Sequence, residues 1–305
     1  MKKIEEIITV EIREIAAKYA EIIKELIPPE DFGDNLEDFV VQHYIDSVFG
    51  TVQAPIEEKQ IDKVFEEQGF IPAILIYRDV ENPLNTPRGG EFLARRWIKG
   101  EGLSTPGDWI MKMSPEHRKQ LNLLDLEFAL KLSQAIPDFQ SSSNLSVALI
   151  EDDECVSRIS DLLAELEIKN PTNITLEISE DTKSLEGKAD RIQGLIDLGF
   201  HISLDDCGKG NTDKIYEELC RANIPLHSLK IADSITADLM DGRPQELTKW
   251  MKRANEHPSK PTLVFEGGPK IVPQPKVLKE IQKIASALDL KDVKLWVQGP
   301  IFENV

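Results

Sequence analysis

The chain of 305 residues carries 54 acidic against 36 basic side chains, a formal net charge of −18, and 41% of its residues are hydrophobic. That size and apolar content suffice for one large core, or for a barrel with a smaller companion. The charge excludes a general attraction to nucleic acid or to an anionic membrane surface, so an anionic ligand must be met locally by metal ions or a few placed arginines. The opening Met1-Lys2-Lys3-Ile4-Glu5-Glu6 turns acidic at once and no long uncharged apolar run follows. Neither a signal peptide nor a membrane span is therefore expected, and the chain reads as cytoplasmic. Cys155, Cys207 and Cys220 are odd in number and widely spaced, a pattern of reduced thiols rather than of a disulfide framework or zinc knuckle.

Residues 1 to 27 read as one helix, with Ile8, Ile12, Ile15, Tyr19, Ile22 and Leu26 at alternating steps of four and three and Pro28-Pro29 as its stop. The stripe is a heptad seam that packs either on the protein's own body or against a second copy as a homodimer helix. Helical pattern continues over 34 to 49 and 57 to 68, so residues 1 to 70 form an N-terminal helical region without visible chemistry.

From residue 71 the texture changes. Strands are expected at 73 to 80 and 91 to 97, with no helix between them, so this first pair should be antiparallel. A helix is expected from about 115 to 135, and further strands at 145 to 150, 174 to 178, 201 to 205, 229 to 231, 263 to 266 and 295 to 298. Helical segments separate successive strands at 154 to 167, 185 to 198, 213 to 222, 244 to 256 and 276 to 288. Eight strands mostly separated by helices fit a (βα) barrel with an antiparallel first strand over residues 71 to 305. The alternative is a doubly wound open sheet, but the Gly-rich dinucleotide turn after its first strand is absent.

In a barrel, functional groups gather at the C-terminal ends of strands. Glu177, Asp205, Asp206, Lys230, Glu266 and Gln298 all fall there. The centre of this set is His201-Ile202-Ser203-Leu204-Asp205-Asp206-Cys207-Gly208-Lys209-Gly210, where an apolar run ends in two adjacent carboxylates, the second placed where the strand becomes a loop. Two like charges so close are kept ionised most simply by cations. Oxygen ligands with few, scattered histidines point to Mg²⁺, Mn²⁺ or Ca²⁺ rather than zinc. Several carboxylates in one mouth suit a site of two ions acting on phosphoryl groups. Any one of these acids taken alone would more often be a helix cap or a surface group; their joint placement carries the reading.

These residues also carry a resemblance. Glu91-Phe92-Leu93-Ala94-Arg95-Arg96-Trp97, Gly102-Leu103-Ser104-Thr105-Pro106, Leu176-Glu177-Ile178-Ser179-Glu180, Leu204-Asp205-Asp206-Cys207-Gly208-Lys209-Gly210, Leu229-Lys230-Ile231, Phe265-Glu266-Gly267-Gly268 and Val297-Gln298-Gly299 follow the order and approximate spacing of the EAL domain family, which the chain resembles over about residues 71 to 305. The resemblance implies hydrolysis of the second messenger cyclic di-GMP to pGpG with one or two Mg²⁺ or Mn²⁺ ions. It implies Glu91, Glu177 and Asp205 as metal ligands and Asp206 as a ligand of the second ion. Lys230 would orient or deprotonate the attacking water, Glu266 would bind metal or its water, and Gln298 would fix the water. Glu180 would tether the loop after Asp206. Arg95 or Arg96 would take a ligand phosphate; one extra residue between Glu91 and Trp97 leaves the choice open, with a bulge to absorb it.

The departures from the family pattern decide how far activity follows. If 145 to 150 is the third strand, the family's ligand asparagine is Ala148; Asn144-Leu145-Ser146 is a rival alignment, but Gln140 to Ser143 would make a poor buried strand. The family aspartate after Lys230-Ile231 is Ala232, with Asp233 one place late and directed to the other side if the strand continues. Pro269 replaces a second acid, Cys207 a phenylalanine, and Arg78-Asp79 the Gln-Pro ending the first strand. Two readings stay open: a metal-dependent phosphodiesterase, or a catalytically degenerate module that senses cyclic di-GMP or binds a protein partner.

Overall fold

Alternating apolar runs and amphipathic stretches build the computed structural model, which describes residues 70–80, 89–98, 102–104, 113–135, 139–267 and 275–298. The helices expected at 1 to 27, 34 to 49 and 57 to 68 lie outside the described residues. The strands are β1 (Phe70–Asp79), β2 (Gly89–Ile98), β3 (Gly102–Ser104), β4 (Gln140–Leu145), β5 (Ile174–Ile178), β6 (His201–Cys207), β7 (Ser228–Ile231), β8 (Thr262–Glu266) and β9 (Leu295–Gln298). The helices are α1 (Pro115–Ala135), α2 (Val147–Ile150), α3 (Cys155–Glu165), α4 (Ala189–Asp197), α5 (Thr212–Arg221), α6 (Asp233–Met240), α7 (Gln245–Glu256) and α8 (Pro275–Ala287).

The sheet runs β1-β9-β8-β7-β6-β5-β4-β2-β3, and β1 also pairs with β2, so eight strands close on themselves and β3 hangs from the far end of β2. Strands β2 and β4 to β9 are mutually parallel. Strand β1 pairs antiparallel with both β2 and β9. With helices outside, parallel strands are buried on both faces and read as near-continuous apolar runs; all five residues of β5 are buried. Each helix offers the sheet one stripe. In α7, Leu247, Trp250, Met251 and Ala254 are buried at helical spacing, and burial of each large side chain contributes about 1.5–3 kcal/mol. Arg253 lies over the rings of Tyr216 and Trp250 at 4.8 and 4.6 Å, sealing the joint between α5 and α7.

The third barrel strand differs from the sequence expectation. It is Gln140–Leu145, whereas Val147–Ile150 is a helical turn. Ser146 caps that turn, its Oγ accepting from Leu149 N at 3.3 Å, so the apolar residues after it belong to α2. The serines judged too polar for a buried strand are 1, 2 and 0% exposed at 141, 142 and 143. They are small enough for α1 to pack directly on β4, and the Ser142 hydroxyl hydrogen-bonds the Tyr77 hydroxyl across the barrel. Asn122 on α1 accepts from Ser146 N at 2.6 Å and pins the end of β4. Strand β3 and helices α2 and α6 were not anticipated; all three are short.

Candidate metal centre

Register brings the polar residues to one end of the barrel. Asn144 lies beside Glu177 in the β4–β5 ladder, Glu266 beside Gln298 in β8–β9, and Gln298 beside Tyr77 in β9–β1. Glu91 enters from β2, opposite Ser142 of β4. The β1–β2 ladder runs unshifted from Tyr77 and Gly89 to Phe70 and Arg96. No bulge therefore absorbs the extra residue between Glu91 and Trp97 in that ladder. The positions of Arg95 and Arg96 are on β2, while their side chains lie outside the described residues.

Lys230 is the centre of the arrangement. Only 1% exposed, its ammonium lies 2.7 Å from Glu91 Oε2, 2.8 Å from Glu177 Oε2, 2.8 Å from Asp205 Oδ1 and 3.1 Å from Glu266 Oε1. Burial opposes its charge, but Asp205, Glu177, Glu91 and Glu266 together hold the ammonium well above the usual lysine range. Glu91 and Glu177 have further donors. Asn144 Nδ2 donates to Glu91 Oε1 at 3.1 Å, Gln298 Nε2 to Glu91 Oε2 at 2.5 Å, and the Tyr77 hydroxyl to Glu177 Oε1 at 3.0 Å.

Four carboxylates around one ammonium leave an excess of negative charge in a low-dielectric pocket. Burial, then repulsion from Glu91, pushes the Glu177 carboxyl up to about 8, and burial likewise raises Glu266 well above the carboxylate range. Such a group relieves its repulsion by taking a proton or a cation. Glu91, Glu177 and Asp205 each present an oxygen within 4.8 Å of the others, a set able to hold a metal ion. An all-oxygen donor set fits a hard divalent cation, and the Oε1 of Gln298, whose Nε2 bonds Glu91, is buried without a hydrogen-bond donor.

Two acids at the end of β6 serve different neighbours. A regular strand would send Asp205 and Asp206 to opposite faces. Here the β6–β7 register shifts between Leu204 and Cys207, and Asp206 has a left-handed φ of 48°. The strand continues through Cys207, so Asp206 is inside an irregular strand end and not in the following loop. Asp205 meets Lys230, whereas Asp206 lies 3.1 Å from the Lys209 ammonium, which also meets Asp233 at 2.9 Å. Strand β7 ends at Ile231, and Asp233 opens α6 rather than facing away from a continued strand. Glu180 touches the loop after Asp206 through its main chain: its carbonyl accepts from Asn211 N at 3.1 Å. The His201 and His227 rings stack 4.2 Å apart at the first residue of β6 and just before β7, the opposite ends of those strands from the acids.

The structure thus brings together Glu91, Glu177, Asp205, Lys230, Glu266 and Gln298, and sets Asp206 beside them. It answers the open alignment with Asn144; Ala148 lies in α2. Tyr77 was missed. The available signal was a tyrosine inside an otherwise apolar strand, since a buried phenol needs a polar partner.

An α/β barrel with a cluster of carboxylates at its strand ends is the class these features define. The EAL domain family model matches residues 80–263, more than half of the chain. No match is found among curated proteins. Among solved structures, the PaMucR phosphodiesterase in its c-di-GMP complex is similar at 20% identity and a TM-score of 0.64, covering 81% of this chain and 95% of that one. An EAL domain protein from Listeria monocytogenes gives 19% identity and 0.64 over 82% and 94% of the two chains. The FimX EAL domain from Pseudomonas aeruginosa bound to c-di-GMP gives 16% and 0.62 over 82% and 96%. At these identities the structural likenesses establish the fold; with the family match, the chain belongs to the EAL domain family.

Proposed function

We propose that this chain is a divalent-metal-dependent phosphodiesterase that opens cyclic di-GMP to pGpG. The observation that carries the reading is the convergence of Glu91, Glu177, Asp205 and Glu266 on Lys230, with Asn144 and Gln298 both hydrogen-bonded to Glu91. Two solved relatives of the same fold are described as c-di-GMP complexes. Glu91, Asn144, Glu177 and Asp205 would hold Mg²⁺ or Mn²⁺, which when bound neutralises charge on the phosphodiester and lowers the pKa of water.

The chain's own groups have separate tasks in this reading. Asn144 and Gln298 fix the Glu91 carboxylate, and Tyr77 fixes Glu177, so donor oxygens are oriented before any ion arrives. Lys230 balances part of the acidic charge and in this reading orients a nucleophilic water among the carboxylates. Arg95 or Arg96 takes a phosphate of the dinucleotide, for which a guanidinium is suited.

One observation favours the second reading. Just after β7 the family aspartate is replaced by Ala232, fully buried and without a side-chain oxygen, which suits a module that binds cyclic di-GMP, or a protein partner, without cutting. Purified protein given cyclic di-GMP with Mg²⁺ or Mn²⁺ should release pGpG on chromatography, and Glu177→Ala should not. Absence of turnover with both metals refutes the enzyme reading, and binding that survives chelation then supports the sensor. No described helix is long and apolar enough to cross a membrane.

A further inference from the structure

We propose that Lys209 is a tethered cation that stands in place of a second divalent ion, so that this mouth takes one metal and not two. The inference rests on the metal-centre reading above and narrows it. The acids fall into two groups, each with its own ammonium: Glu91, Glu177, Asp205 and Glu266 around Lys230, and Asp206 with Asp233 around Lys209. An outer ion would need Asp206 as a ligand, yet Asp206 Oδ1 already has the Lys209 Nζ at 3.1 Å. A divalent ion there would meet a positive charge instead of a free carboxylate.

The main chain that carries the lysine is held in position by its loop. Lys209 N donates to Asp206 O at 2.9 Å, Thr212 Oγ1 donates to Lys209 O at 2.8 Å, and the same Oγ1 accepts from Gly208 N at 3.0 Å. Gly208 and Gly210 flank it with φ of 102° and 49°. A Cβ on Gly208 would stand 2.1 Å from Ile235 Cδ1, and one on Gly210 would stand 2.7 Å from Glu180 O, so the turn follows one path. The second carboxylate comes from a displaced acid. Ala232 offers no side-chain oxygen just after β7, and Asp233 sits in the first turn of α6, from which it reaches Lys209 at 2.9 Å. Although burial works against the charge, Asp233 and Asp206 keep the Lys209 ammonium above the usual lysine range.

The test is Mn²⁺ stoichiometry on the full chain stripped of metal, measured by titration calorimetry and by the spin-coupled signal that a pair of nearby Mn²⁺ ions gives. The unaltered chain and Lys209→Arg should each bind a single equivalent, while Lys209→Met should gain a second and show the coupled signal. Two equivalents in the unaltered chain overturn the proposal, and so does a folded Lys209→Met that stays at one. Should Lys209→Met fail to fold, as judged by its melting curve, the count on the unaltered chain still decides. No binding at all would remove the metal centre itself, an outcome distinct from two equivalents.

Discussion

Replacing Lys230 by methionine keeps most of the side-chain volume and removes the charge that four carboxylates share. Each contact, at 2.7 to 3.1 Å, is worth about 6 kcal/mol gross at an effective dielectric of 20. Desolvation of the five groups and repulsion among the acids offset most of that, and breaking a buried pair from one side typically costs about 3–5 kcal/mol. For a domain of this size that corresponds to a melting point lower by roughly 10 °C. The loss has a pH signature. Without the ammonium, the acids stay in the pocket by taking protons, so the folded state binds more protons than the unfolded one and stability falls as pH rises. Glu177 already titrates near 8 in the unaltered chain, well above its unfolded range of about 4.3. The deficit of Lys230→Met should therefore be largest at pH 8 and shrink toward pH 5.5, measured by calorimetric melting in chelator. A deficit of less than about 1 kcal/mol at pH 8, against the 3–5 kcal/mol expected for a broken buried pair, or one that does not change with pH, would refute the account of Lys230 as the charge that holds the mouth together.

Two further substitutions test the placement of ligands and loop. Asn144→Ala should weaken Mn²⁺ binding on the order of 10- to 100-fold, since it frees Glu91 Oε1, whereas Ala148→Ser, on α2, should leave binding unchanged; calorimetry on the pair separates the two alignments. Gly208→Ala puts a methyl 2.1 Å from Ile235 Cδ1 at a φ of 102°, and should cost more than about 1 kcal/mol in denaturant unfolding because strain and overlap add.

Much of the barrel is legible because strand and helix periodicities are local. The runs at 174 to 178, 201 to 205, 229 to 231, 263 to 266 and 295 to 298 each carry buried apolar residues and end in or beside a polar one, and each coincides with a strand within two residues. The third barrel strand was misplaced because its apolar signal is missing: Ser141-Ser142-Ser143 is buried through its small size, with only the Ser142 hydroxyl bonded, to Tyr77, while Val147 to Ile150 looks strand-like but is capped into a helical turn by Ser146. Asp206 was read as a loop residue because a register shift leaves no mark in composition.

The sequence by itself determined the alternation of strands and helices, the acids at strand ends, and the family. Only the tertiary structure decided which of them meet. Gln298 reaches Glu91 across 207 positions of chain, and Lys230 reaches it across 139. The choice of Asn144 over Ala148, the hold of Tyr77 on Glu177, and the pairing of Lys209 with Asp206 and Asp233 follow from barrel closure and register. Side-chain spacing along a strand is set by its own backbone, but contact between strands is set by how the whole sheet closes.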